Sequence, residues 1–219
     1  PTRRSSDLVL TNNHVIADGT AYQVLMPSGD KVDATLVGSD STTDLAVLKV
    51  EDLPLEPVVL GDSDALKVGD WAICIGNPLD FTGTTTVGVI SALNREITSK
   101  STDAYGRKTN NVNRMIQTDA AINAGNSGGG MFNVAGELVG VPSMKYTGSY
   151  YSAATVEGIG MAIPINVAKP LIEEVLSGKT VANGASSADS TKDSSSVAPE
   201  SRPRMGVKVQ TIRASNSGA

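Results

Sequence analysis

Apolar residues in this chain come in short runs broken by Gly, Pro and polar clusters, and from Ala21 to Ile165 one strand-like run follows another. Tyr22 to Met26 and Lys31 to Val37 flank Pro27-Ser28-Gly29-Asp30, whose Pro and Gly preset turn dihedrals, so the pair predicts a hairpin. Leu45 to Val50 is an apolar run after the polar stretch Ser39 to Asp44, and Trp71 to Ile75 ends at Gly76-Asn77-Pro78. Thr84 to Leu93, Met115 to Thr118, Leu138 to Val141 and Ile159 to Ile165 complete the set. This spacing predicts an all-β body of antiparallel barrels or a sandwich, not βαβ units. Ser99 to Asn113 is polar and reads as a loop.

One helix stands out. Val167, Leu171, Ile172, Val175 and Leu176 recur at helical spacing, with Asn166 as its expected cap, Pro170 near the first turn and Gly178 as a left-handed stop. From Lys179 to Arg202 the composition turns to Ser, Ala, Asp and Thr, which have little to bury, so a flexible linker is expected. Met205 to Ile212 then reads as a strand, the first element of a further unit.

Composition narrows the function. With 18 Lys and Arg against 23 Asp and Glu, the net charge of −5 argues against binding a nucleic-acid backbone, which needs clustered cations. A 40 % hydrophobic and 19 % charged chain of 219 residues can bury a sizeable core. No apolar run reaches the roughly 18 residues that span a bilayer, and Pro1 to Asp7 is basic and polar, unlike a secretory signal. The single cysteine, Cys74, excludes an internal disulfide framework and a Cys-based zinc cluster. The single histidine, His14, excludes a multi-His metal centre and leaves one residue for any imidazole chemistry.

The most unusual stretch is Gly125-Asn126-Ser127-Gly128-Gly129-Gly130. A serine hydroxyl attacks a carbonyl only when a base removes its proton, and the oxyanion that forms is best held by fixed backbone N–H groups. Flanking glycines let such N–H groups converge; alone, the same letters also suit an ordinary tight turn. They fit the nucleophile elbow of α/β hydrolases too, but that fold places its histidine after the serine, and none follows Ser127. Gly158-Ile159-Gly160 lacks the third glycine and the βαβ context of a dinucleotide site. His14 lies at the end of an apolar strand and Asp44 just before another. Singly, each suits a surface or turn role. Together, the order His14, Asp44, Ser127 is that of chymotrypsin-like triads, with the first two on one barrel and the serine on a second.

At this point the sequence resembles the HtrA (Deg) serine proteases. TNNHV, DLAVLKV, GNP, TxGVIS, IQTDAAIN with GNSGG, and GIGMAIPIN occur in that order from about Leu8 to Gly178, and Arg202, Pro203, Gly206 and Val207 are similar to the start of that family's PDZ domain. The resemblance implies two six-stranded antiparallel barrels with one C-terminal helix. The expected division is an N-terminal barrel over 1–68, a second barrel and helix over 69–178, a linker over 179–201 and the start of a PDZ domain over 202–219. Few residues precede His14, so the first barrel is expected to be incomplete, with unpaired strand edges.

The resemblance further implies that Ser127 attacks a peptide carbonyl, His14 moves the proton and Asp44 orients His14. The N–H groups of Gly125 and Ser127 would form the oxyanion hole, each worth ~3 kcal/mol when well placed. No metal or organic cofactor is called for. Ala121, where trypsin-type enzymes hold a carboxylate, together with Ile122, Ile159 and Met161 would line a pocket for small or medium aliphatic side chains. Asn126, where activated digestive relatives have Asp, cannot pair with a newly cut N-terminal ammonium. Loop ordering through oligomer or PDZ contacts is therefore expected in place of pro-segment cleavage. Ala124 and Gly130-Met131 depart from the family pattern and are expected to loosen the loop. Pro142 removes an N–H from the strand expected to bind substrate. Unfolded or damaged proteins, a trimer-based oligomer, a bacterial envelope location and an upstream anchor or export signal complete the picture. The rival is a catalytically silent, chaperone-like or peptide-binding module on the same fold.

Overall fold

The computed structural model describes residues 7–26, 28–51, 56–77, 83–102, 108–123, 125–143, 158–181 and 208–212. Ala124, the stretch 182–201 and Arg202 to Val207 lie outside them. In chain order the elements are β1 (Leu8–Asn12), α1 (Asn13–Ile16), β2 (Ala21–Leu25), β3 (Lys31–Asp40), β4 (Leu45–Val50) and β5 (Trp71–Gly76). There follow β6 (Thr84–Thr102), β7 (Lys108–Thr118), β8 (Gly130–Phe132), β9 (Leu138–Pro142), β10 (Gly160–Pro164), α2 (Ile165–Leu176) and β11 (Lys208–Ile212). They form an open antiparallel sheet in the order β1-β4-β3-β2-β11 and a closed barrel in the order β10-β7-β6-β5-β8-β9. Among the described residues the second sheet therefore closes into a barrel and the first stays open, in keeping with the expected double-barrel fold class.

The continuous apolar runs of β1 and β4 have a simple cause: both faces of these strands are buried. Leu8, Leu10, Leu45 and Val47 face one cluster with α2 and the outer wall of the barrel, including Leu138, Val141 and Ile163. Val9, Ala46, Leu48 and Val50 face the opposite side, with Val24 and Ile16. A third cluster, with Cys74, Ile90, Ile116 and Met131, fills the closed barrel. Burial pushes the Cys74 thiol up to about 12, so it behaves as a small apolar filler.

α2 clamps the two sheets. Ile165, Ala168, Leu171, Ile172 and Val175 are buried, and each large aliphatic side chain so placed contributes about 2 kcal/mol. Val167, read as part of the apolar stripe, instead faces solvent at 39 % exposure. Asn166 is not the cap either, because the helix begins one residue earlier, after Pro164. Its backbone N–H donates to the Ser63 hydroxyl at 3.2 Å and its amide to Asp62 Oδ1 at 2.7 Å. That amide bond, joined by the Asp64 N–H, holds the Asp62 carboxyl below its usual range. A cap supplied from a 3₁₀ turn some hundred residues away is invisible to local sequence rules. Gly178, at φ 88°, follows the helix as expected.

Three other expectations change. The polar stretch Ser99 to Asn113 is largely a two-stranded ribbon, pairing Ser99 with Asn111 and Thr102 with Lys108. Its residues are polar almost throughout, so the sequence lacks the apolar alternation that announces a half-buried strand. Lys179 to Val181, expected to belong to a linker, are anchored instead: Val181 is buried and bonds back onto β3, with Ser39 N–H donating to its carbonyl at 2.9 Å. Finally, the outer edge of β2 is not left unpaired. β11 covers it antiparallel, from Lys208 opposite Leu25 to Ile212 opposite Ala21.

Candidate functional site

The site forms where β1 ends and the two sheets meet. β1 delivers its chain into α1, a single turn carrying His14. Asp44 arrives from the turn between β3 and β4. Asp40 builds that turn by accepting the Thr42 N–H and the Thr43 hydroxyl, both at 2.8 Å. Asn113 on β7 donates its amide to the Thr42 carbonyl at 3.0 Å, so the second barrel braces the turn as well. Asp44 itself adopts φ 63°, a left-handed conformation that Asp tolerates better than most residues. That backbone aims its carbonyl at Asn13 N–H and the Asn12 amide, each at 3.0 Å.

The carboxylate is fully buried. Oδ1 accepts the His14 backbone N–H at 2.9 Å, and Oδ2 accepts from His14 Nδ1 at 2.8 Å and from the Ser143 hydroxyl at 2.9 Å. A carboxylate held by this many donors fixes the imidazole in turn, with Nδ1 carrying the proton and Nε2 turned to the open side. The His14 side chain is 33 % exposed, so its outer edge can meet a ligand. Ser143 is a member of this cluster that the sequence did not reveal. It follows Pro142 at a strand end and reads there as an ordinary polar residue.

Ser127 sits in the turn after Gly125. Asn126 N–H donates to Asn123 O and Gly129 N–H to Asn126 O, both at 3.0 Å, while Gly128 N–H donates to Pro142 O at 3.1 Å. Gly128 has φ 77°, and a Cβ there would overlap the Thr11 hydroxyl. Only glycine allows this approach, and it presses the serine turn against the end of β1, beside the residues that lead into His14. His14 and Asp44 are thus in direct contact, and the turn carrying Ser127 packs on β1, the strand that leads into His14. Pro142 is also explained: the strand loses an N–H at that position, but its carbonyl holds the serine turn. Gly130 and Met131 begin β8, where Met131 is fully buried against Cys74, so this end of the loop is anchored and not loosened.

The pocket candidates divide. Ala121 is exposed on the segment leading to the serine turn. Ile122 packs beside Gly160, where an added Cβ would lie 2.6 Å from Ile122 Cγ1. Met161 is 8 % exposed and belongs, with Ile159 against it, to the cluster between the sheets.

Residues 3–141 match the family model described as a trypsin-like peptidase domain, more than half of the 219-residue chain. The chain is 48 % identical over 172 residues to "Serine protease Do-like HtrA" of Bacillus subtilis (strain 168), covering 77 % of this chain and 36 % of that protein. It is 43 % identical over 177 residues to a DegP-like periplasmic serine endoprotease of Rhizobium meliloti (strain 1021), covering 80 % of this chain and 32 % of that one. The chain therefore spans about a third of the length of these curated relatives. Among solved structures, the HtrA-type protease AlgW with decapeptide superposes with a TM-score of 0.64 at 37 % identity, over 79 % of this chain and 49 % of that one. A histidine and a buried carboxylate from one sheet, a glycine-bounded serine from the barrel beside it and these matches lead to one conclusion: the chain belongs to the trypsin-like peptidase family, where its relatives are HtrA and DegP proteases.

Proposed function

We propose that the protein is a serine endopeptidase of the HtrA type. The observation that carries this reading is the buried Asp44 carboxylate bonded to His14 Nδ1 at 2.8 Å, with the Ser127 turn packed alongside. In this mechanism His14 Nε2 takes the Ser127 hydroxyl proton as Oγ bonds to the peptide carbonyl carbon. The oxyanion is held by the N–H groups of Gly125 and Ser127. The C–N bond then breaks as the imidazolium returns its proton to the departing amine. Water, activated by the same imidazole, hydrolyses the acyl-enzyme. Asp44 stabilises the imidazolium without becoming protonated, and Ser143 and the His14 backbone N–H hold that carboxylate in position.

Ala121, Ile122, Ile159 and Met161 are proposed to shape the specificity pocket. Ala121 places no charge where trypsin-type enzymes hold a carboxylate, and Asp119, two residues before it, has Oδ1 engaged by the Val89 N–H at 2.7 Å. Burying an unpaired Lys or Arg there is costly. We expect cleavage after Val, Ala or Ile to exceed cleavage after Lys or Arg by at least ~100-fold in kcat/KM, the factor that a few kcal/mol represents. A peptide library scored by mass spectrometry reads this, and preferred cutting after Lys or Arg refutes it.

Unfolded or damaged proteins, which expose extended aliphatic segments, are the proposed substrates. An extracytoplasmic location follows the periplasmic naming of the Rhizobium relative; among the described residues no helix is long and apolar enough to cross a membrane. A trimer-based oligomer is proposed on family grounds, as is a PDZ unit beginning near residue 202, although the strand expected to open that unit, Lys208 to Ile212, pairs here with β2 of the first sheet instead. The deciding experiment is labelling with a fluorophosphonate. The probe's mass should appear on the peptide containing Ser127, and a folded protein that stays unlabelled would instead be the silent, chaperone-like module.

A further inference from the structure

Next to Ser127, Asn126 is only 1 % exposed, and its side chain is turned into the protein. Its amide Nδ2 donates to the Ala121 carbonyl at 3.0 Å. The same carbonyl accepts the hydroxyl of Thr86, on the barrel wall, at 2.9 Å. Beneath Asn126 lies Gly76, where an added Cβ would stand 2.7 Å from both Asn126 Cα and Oδ1. Asn77 N–H donates to the Gly125 carbonyl at 3.1 Å, which fastens the preceding residue to the same end of β5. Asn126 thus joins the two ends of the segment Ala121 to Ser127. One end carries the proposed pocket and the other the proposed oxyanion donors.

Building on the protease reading, we propose that Asn126 is a positioning residue. Its amide-to-Ala121 bond, backed by Thr86, fixes the orientation of the Gly125 and Ser127 N–H groups relative to the pocket. The flanking residue Ser127 has to point outward, so the side chain between Gly125 and Ser127 is the one able to anchor the turn from inside. The anchor has to be a donor, because what it meets is a carbonyl oxygen. Asn126 Oδ1 has no hydrogen-bond partner, so nothing on that side of the amide competes for its orientation.

Asn126→Asp is nearly isosteric and isolates this donor. One carboxylate oxygen would face the Ala121 carbonyl and the other would take the unpartnered Oδ1 position. Neither gains a donor, and burial raises the pKa of such a group. Once protonated, the acid can donate to Ala121 again. Of the titratable groups on the elements packed around it, Asp119 has its carboxylate on the Val89 N–H, Cys74 is buried inside the barrel, His14 follows the end of β1 on which the Ser127 turn packs, and Arg95 and Glu96 lie farther along β6, exposed to solvent. β6 brings Thr86 to the carbonyl, and among the described residues the end of β5 and its next residue contribute Ile75, Gly76 and Asn77.

The test is the pH profile of kcat/KM for the intact protein and its variants on an aliphatic peptide substrate. At pH 8–9 the Asp variant should be slower by ~100-fold, the order found when one oxyanion donor is lost. The variant-to-parent ratio should climb by ~10-fold or more towards pH 5–6, as the buried acid gains its proton. Any pH dependence shared by variant and parent cancels in that ratio. An active parent matched by the variant at every pH, or a deficit that is constant with pH, overturns the proposal while leaving the protease reading intact. A parent that neither hydrolyses peptide nor takes the fluorophosphonate overturns both. If the Asp variant fails to fold, Thr86→Val decides: a several-fold fall in kcat at unchanged melting temperature supports the clamp, and unchanged kcat refutes it.

Discussion

Ser127→Ala is expected to lower kcat for peptide hydrolysis by ~10⁴-fold or more while leaving the melting temperature within a degree or two. The hydroxyl is the atom that forms the acyl bond in the proposed reaction, so its removal ends covalent catalysis outright. The fold should change little, because the Gly128 N–H on Pro142, the Asn126 amide on Ala121 and the Gly128 contact with Thr11 all hold the turn without using Ser127 Oγ. The residual rate would come from backbone donors and substrate binding. A sharper form of the prediction uses non-additivity. Once the nucleophile is gone, His14 has no proton to take, so Ser127→Ala combined with His14→Ala should be no slower than Ser127→Ala alone within about threefold. Stopped assays on purified variants measure both, and a further large loss in the double variant would mean that the imidazole acts on something other than Ser127.

How much of this was legible in the chain depends on whether the information is local. β1 and β4 announced themselves because burial on both faces leaves no polar alternation, and Leu8 to Leu10 and Leu45 to Leu48 are unbroken apolar runs. The triad candidates were legible because a single histidine leaves no choice of base. Features that depend on distant partners were not. Ser143 gains its meaning from a carboxylate 99 positions away, and Asn166 is held by residues more than a hundred positions upstream. The β6–β7 ribbon failed for the opposite reason. Its pairing is local, but polar residues such as Ser99, Lys100, Asn110 and Asn111 carry no apolar pattern to read. The residues proposed for the pocket differ in setting: Ala121 is exposed on the segment before the serine, whereas Met161, equally apolar, lies in the shared core.

The bracing of Asp44 also indicates where stability and activity are coupled. Its turn is tied to β1 through Asn12 and Asn13, to β7 through Asn113 and to the end of β9 through Ser143. Elements of both sheets therefore converge on one carboxylate. Displacing either sheet relative to the other would disturb the carboxylate that holds the imidazole. The buried face of α2 spans the same junction, so in the proposed mechanism it would help hold the two sheets in register around that carboxylate.

Asp44→Asn should reduce kcat/KM by ~10⁴-fold, nearly as much as losing the nucleophile, through the imidazole tautomer and not through misfolding. The hydrogen bonds decide how the new amide must sit. The Oδ1 position receives the His14 backbone N–H at 2.9 Å, so only an oxygen fits there, and the NH₂ takes the Oδ2 position. There it faces His14 Nδ1, 2.8 Å from the present oxygen, and the Ser143 hydroxyl at 2.9 Å. The hydroxyl can rotate and accept. Nδ1 can accept only by giving up its proton, which moves the hydrogen to Nε2, the nitrogen that must be bare to take the proton of Ser127. The geometry survives and the base is lost. Because His14 is the only histidine in the sequence, ¹⁵N chemical shifts of the ring report this tautomer without ambiguity. Nδ1 should change from protonated in the parent to unprotonated in the variant at the same pH. An unchanged tautomer accompanied by full activity would remove Asp44 from the mechanism. The expected swap, with activity lost and folding intact, would show that the carboxylate's main task is to dictate which nitrogen of a single imidazole holds the proton.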